Sequence, residues 1–129
     1  MKTYFVDTNV FLRFFLKDNP SQYEAVLKHF TKAGRGEEKL ILIPQVVMEV
    51  SFLLEKFYKL GKEKTLEYLV SLVNNPDFAV PERKVLIRML DTYKSVSIDL
   101  VDAYLYSSAQ EAGAEVLSFD RDFRRISAS

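Results

Sequence analysis

Four acidic residues stand where the sequence otherwise places apolar side chains. Asp7 closes Tyr4-Phe5-Val6-Asp7, followed by Thr8-Asn9, and Glu49 interrupts Val46-Val47-Met48-Glu49-Val50. Asp102 follows Leu100-Val101, and Asp120 ends Val116-Leu117-Ser118-Phe119. A carboxylate avoids such surroundings unless something positive compensates it. With one histidine and no cysteine in the chain, the positive partner expected is a hard, oxygen-preferring metal ion, Mg²⁺ or Mn²⁺. Two such ions about 3.5–4 Å apart can stabilise both the attacking and the leaving oxygen of an in-line displacement. Phosphodiester hydrolysis is the chemistry this set serves best.

Each acid also has a plainer explanation. Asp7 can N-cap the helix that begins near Thr8, and Asp120 can cap or turn the chain before Arg121. Glu49 shares a helical face with Val46 and Leu53, and Asp102 lies close to the stripe of Ile98, Leu105, Ala109 and Ala112. For these two, a structural salt bridge is the competing explanation. One shared site accounts for all four more simply than four separate reasons. Asp99 is the better N-cap of the helix carrying Asp102, with a place lining the site, and Asp122 is expected to pair with Arg125. His29 reads as a solvated surface residue. Ser51 and Ser118 have no histidine base nearby in sequence, and no glycine-rich phosphate loop is present.

The elements that must position these acids follow from pattern. Thr3–Val6, Leu40–Ile43, Phe78–Val80 and Glu115–Phe119 read as short buried strands. Between them lie helices carrying Val10, Phe11, Phe14 and Phe15; Tyr23, Val26, Leu27 and Phe30; Val46, Val50, Leu53, Leu54, Phe57 and Tyr58; and Leu66, Leu69, Val70 and Val73. Two further helices carry Val85, Leu86, Met89, Leu90 and Tyr93, and span Asp99–Ala112. Pro20 and Pro44 suit first turns, and Gly61 and Gly113 suit helix ends. Alternating strands and helices predict an α/β fold with a parallel sheet covered on both faces. Ligands of such sheets bind beyond the carboxyl ends of the strands, where Asp7 and Asp120 fall.

The 129 residues fit a single domain, 1–129, with one core. Lys plus Arg equals Asp plus Glu at 18 each, which argues against a broad duplex-coating protein but not against a small nuclease. No apolar run approaches the ~18 residues of a membrane span. Met1–Asp7 is too short an apolar stretch for a secretory leader, so a cytoplasmic location is expected. The absence of cysteine excludes disulfides, thiolate metal sites and cysteine nucleophiles.

The order Phe-Val-Asp7-Thr-Asn, Glu49 in the helix after the second strand, Asp102-Ala103 opening a late helix, then Ser-Phe-Asp120-Arg-Asp-Phe resembles a PIN domain, and within that group the VapC ribonuclease toxins of toxin–antitoxin modules. The resemblance covers nearly the whole chain. It implies a three-layer α/β/α, Rossmann-like fold with a mostly parallel sheet in the order 3-2-1-4-5, the fifth strand short or absent. It implies a Mg²⁺- or Mn²⁺-dependent endoribonuclease in which Asp7, Glu49, Asp102 and Asp120 are catalytic and metal-binding. Thr8, Asn9 and Ser118 would position acids or water. A cognate antitoxin whose C-terminal segment covers the site, and a homodimer, are also implied. Arg121, Arg124 and Arg125 are candidates to hold RNA phosphates, because arginine grips phosphate bidentately; Arg13 and Lys17 are weaker ones. Aromatic residues of the first two helices that the core leaves over are candidates for an antitoxin groove. Two alternatives remain: a non-catalytic PIN-like RNA-binding or scaffold module, and a phosphatase of the haloacid dehalogenase type. The latter wants an aspartate where Asn9 stands.

Overall fold

The computed structural model describes residues 1–128; the side chains of Arg125, Ser127 and Ala128 lie outside the described set. The chain forms two compact units, Met1–Pro81 and one starting at Glu82.

The first unit holds a parallel sheet of β1 (Lys2–Phe5), β2 (Glu38–Ile41) and β3 (Phe78–Ala79) in the order β1-β2-β3. Lys2 pairs with Glu38 and Leu40 with Phe78 in register. This is the 3-2-1 half of the expected order. Its helices are α1 (Thr8–Leu16), α2 (Pro20–Gly34), α3 (Pro44–Phe52) and α4 (Gly61–Asn74). Each start has a local cause. Asp7 caps α1 by accepting the Thr8 N–H at 2.8 Å, and Asn19 caps α2 by accepting the Gln22 N–H at 3.1 Å, with Pro20 in the first turn. Pro44 opens α3.

Between α3 and α4 the helix widens into a π-turn, Leu53–Phe57, where the Tyr58 N–H reaches back to the Leu53 carbonyl at 2.8 Å. The extra residue changes the helical phase. Leu54 stays fully buried, whereas Phe52 and Phe57 are exposed. Lys59 and Gly61, both at positive φ, then turn the chain into α4.

The core of this unit is built on rings. Phe11 is fully buried and lies 6.1 Å from Phe30 and 5.8 Å from Phe78, centroid to centroid, and Phe30 meets Phe78 at 5.0 Å. The aromatic residues expected to be left over are largely partnered: Phe14 stacks on Tyr23, and Phe15 on Tyr68 at 4.3 Å. His29, expected to be a solvated residue, instead puts Nδ1 2.8 Å from Oε2 of buried Glu38 and its ring edge-on to Tyr4. A buried carboxylate requires such a partner. Lys32 approaches the other oxygen of Glu38 at 3.9 Å.

The second unit contains α5 (Arg83–Ser95), α6 (Leu100–Ala112) and α7 (Asp122–Ala128). α5 packs on α6 and buries Val85, Leu86, Met89, Leu90 and Tyr93, a helical repeat. α6 buries Leu100, Ala103 and Ser107 and ends on Gly113 at φ 65°. Lys84 and Arg88 of α5 reach Glu111 of α6. The Tyr104 hydroxyl donates to Glu82 Oε1 at 2.7 Å.

The expected strand Glu115–Phe119 is not formed: among the described residues the segment joins no sheet, and Leu117 and Phe119 are fully exposed. β-propensity states that a segment fits a pleated, half-buried surface and does not supply one. Ser118 also offers its Oγ to the Asp120 N–H at 3.0 Å, a local turn that competes with a ladder. The fifth strand is likewise absent among the described residues, where α7 stands instead. Among those residues no helix is long and apolar enough to cross a membrane.

Candidate metal and nuclease site

In the first unit, Asp7 stands two residues after the last residue of β1, at the carboxyl end of a parallel strand where such folds place ligands. Its cap role, offered as the plain alternative, is real: one carboxylate oxygen accepts the Thr8 N–H. A cap bond to one oxygen leaves a carboxylate's remaining lone pairs able to meet a cation. Thr8 is buried and Asn9 is exposed. Asp7 and Asn9 line a hollow of about 400 Å³ together with Tyr4, Val6, Arg13 and His29.

Glu49 sits on α3, but not on its inward stripe. That stripe is Val47, Val50 and Leu54, all buried, and Glu49 is exposed. The expectation that a core-facing glutamate demands a partner therefore loses its premise. Arg13 and Lys17 are engaged locally: Arg13 bonds Asp18 at 3.2 Å, and the Lys17 ammonium lies 5.6 Å from the Tyr23 ring centroid.

The second unit brings acids together. Carboxylate oxygens of Asp102, Asp120 and Asp122 all lie within 4.8 Å of one another. Asp102 is in the first turn of α6, and Asp99 occupies the N-cap position of that helix without a side-chain cap bond. Asp120 accepts the Asp122 N–H at 2.9 Å on Oδ1. Ser118, expected to position an acid or water, accepts the Asp120 N–H on its Oγ at 3.0 Å. Asp122 was expected to pair with Arg125, whose side chain lies outside the described residues. Sequence reasoning missed its place in the trio; the signal available was the Asp-Arg-Asp spacing at the start of a helix.

Burial, and then repulsion from Asp99, Asp120 and Asp122, raises the Asp102 carboxyl above the ordinary carboxylate range. The folded chain thus holds that proton more tightly than the unfolded chain does. The contribution to stability is full at low pH and is lost as pH rises through the raised value. In metal-free buffer, the melting temperature of the wild type relative to Asp102→Asn should therefore fall as pH climbs upward from the ordinary carboxylate value. Divalent-ion affinity should rise over the same window, because ion and proton compete for one carboxylate. A difference between the two proteins that does not change with pH would refute this.

An all-oxygen trio with no sulfur and no imidazole fits Mg²⁺ or Mn²⁺ by donor chemistry. Beside it, Asp120, Ser118, Arg124, Tyr106, Gln110 and Val116 line an open hollow of about 790 Å³. Arg121 and Arg124 are both exposed, and Arg124 lines the hollow while Arg121 does not.

The first unit thus places an acid near the carboxyl end of a parallel strand, and the second gathers three acids around the starts of α6 and α7. The PIN domain family matches residues 4–129, and the chain belongs to it. It is similar to a VapC ribonuclease of Aquifex aeolicus (strain VF5), with 26% identity over 122 residues, covering 94% of this chain and 90% of that protein. No solved structure matches it significantly.

Proposed function

We propose that this protein is a divalent-metal-dependent endoribonuclease and the toxin of a VapBC-type toxin–antitoxin module. The observation that carries the proposal is the trio Asp102, Asp120 and Asp122 in a chain whose PIN-family match runs nearly end to end. The named activity of the Aquifex relative supports RNA as the substrate.

In this proposal Asp7, Glu49, Asp102 and Asp120 form the catalytic set, with Mg²⁺ or Mn²⁺ as the cofactor. When bound, the ion supplies Lewis-acid stabilisation of the charge that develops on the phosphoryl oxygens and lowers the pKa of water. The chain's own groups do the rest. Asp7, Glu49, Asp102 and Asp120 are the acids assigned to the ion, the Thr8 N–H bonds Asp7, and the Ser118 hydroxyl bonds the backbone of Asp120. Arg124, exposed beside Asp120, meets RNA phosphates, with Arg121 as a second candidate. A cognate antitoxin that covers the site, a homodimeric assembly and a cytoplasmic location belong to the same proposal.

The test is cleavage of end-labelled transfer and ribosomal RNA by purified, antitoxin-free protein. Discrete cuts are expected with Mn²⁺ or Mg²⁺ and none with chelator. Cuts that persist in chelator refute metal dependence. Folded protein that binds RNA without cutting it in any metal supports a binding module instead.

A further inference from the structure

We propose that the hollow beside Asp7 is a subsite for one unstacked base of the RNA, stacked on Phe5 and read at its edge by His29. The inference rests on the nuclease assignment and names what selects the position of the cut. The hollow, about 400 Å³, is lined entirely by residues of the first unit, from β1, β2, α1 and α2 and the turn that joins β1 to α1. Its size falls in the usual range of small-ligand pockets, about 300–1,000 Å³.

Three observations give the hollow the chemistry of a base site. Phe5, the last residue of β1, lines it and is 72% exposed. An exposed aromatic face stacks an unpaired base whatever its identity. His29 lines it too, and is held in place from behind. Its Nδ1 lies 2.8 Å from Oε2 of Glu38, which is only 8% exposed, and its ring meets Tyr4 edge-on at 5.2 Å. A carboxylate only accepts, so Nδ1 carries the proton, and Nε2 has no hydrogen-bond partner among the described residues. That nitrogen is left to meet a ligand, as an acceptor while the ring is neutral and as a donor once it is charged. Asn9 and Gln22, both exposed, also line the hollow, and each carboxamide offers a donor and an acceptor, as the edge of a base does. An apolar protein segment would cover Phe5 but has no use for an oriented imidazole and two amides. A base uses all of them. Asp7 lines the same hollow, so a base held there sits close to a carboxylate assigned to the ion.

His29 is the only histidine in the chain, so its imidazole NMR signal reports on the hollow without ambiguity. The whole untagged protein, in chelator, is titrated with each of the four ribonucleoside 5′-monophosphates and with base-free ribose 5-phosphate. At least one base should move the His29 signal saturably, and ribose 5-phosphate should not. Phe5→Ala should weaken that binding by about tenfold or more, with the melting temperature retained because the ring is exposed. On long RNA the same variant should lose its preference among cut sites. Glu24→Gln, exposed on α2 and outside the hollow, should bind as wild type. Wild-type affinity in Phe5→Ala, or an equal shift from ribose 5-phosphate, overturns the inference. A His29 signal that no base moves, in protein that still cuts RNA, also overturns it, leaves the nuclease assignment standing and gives the hollow to a protein segment. Base binding that depends on Phe5, in protein that cuts no RNA in any metal, supports the subsite and refutes the nuclease assignment.

Discussion

Asp102→Asn and Asp7→Asn should each remove metal-dependent RNA cleavage by about 10²–10³-fold while leaving the protein folded. A bound ion contributes several kcal/mol of charge stabilisation to such a displacement, and each 1.36 kcal/mol is about tenfold in rate. Asp102 is partly buried and held among Asp99, Asp120 and Asp122, so an uncharged isostere relieves repulsion and should not lower metal-free stability. Asp7 caps α1, and asparagine caps a helix about as well as aspartate, so its replacement keeps the Thr8 bond and removes only the charge. Cleavage and the metal-free melting temperature should therefore separate: rate lost, stability retained. Wild-type cleavage by either variant in Mn²⁺ would remove that residue from the site. Collapse of the fold would mark it as structural.

Phe11→Ala should cost about 3–5 kcal/mol, the range for deleting a fully buried aromatic ring. Phe11 has no exposed surface, and its ring meets Phe30 from α2 and Phe78 from β3. The truncation leaves a void between three elements, and neither neighbouring ring can shift into it without losing the other. Phe11 also lies one turn after Asp7 on α1, so the same void loosens the helix whose start holds that acid. A melting temperature within ~2 °C of wild type, where ~10 °C or more is expected, would show that the three rings do not form a packed core. Phe57→Ala is the contrast: the ring is 68% exposed after the π-turn, and surface changes of that kind stay within about 0.5 kcal/mol.

Much of the fold was legible because its signals are local. Helix starts were readable from Asp7, Pro20 and Pro44, and the stop of α6 from Gly113, a glycine that takes the left-handed φ of 65° found there. Three of the four expected strands form within one or two residues of where their short apolar runs placed them. The fourth, Glu115–Phe119, carries the same local pattern and does not form, because a strand needs a neighbour and propensity cannot provide one. Helical phase was the other failure. Glu49 was placed on an inward face with Val46 and Leu53, yet α3 buries Val47, Val50 and Leu54. On a helix so apolar around its circumference, several stripes are possible, and only packing selects one.

The sequence by itself singled out Asp7, Glu49, Asp102 and Asp120 as candidates, because carboxylates in apolar runs are costly wherever the chain folds. It also determined the absence of thiolate chemistry and the family whose pattern residues 4–129 match. Only the tertiary structure decided that Asp122 joins Asp102 and Asp120, that Glu49 is exposed, and that His29 serves Glu38. Those are distances between residues far apart in sequence or wound together by a turn. They follow from how side chains and backbone bonds compete for position, which no single residue type records.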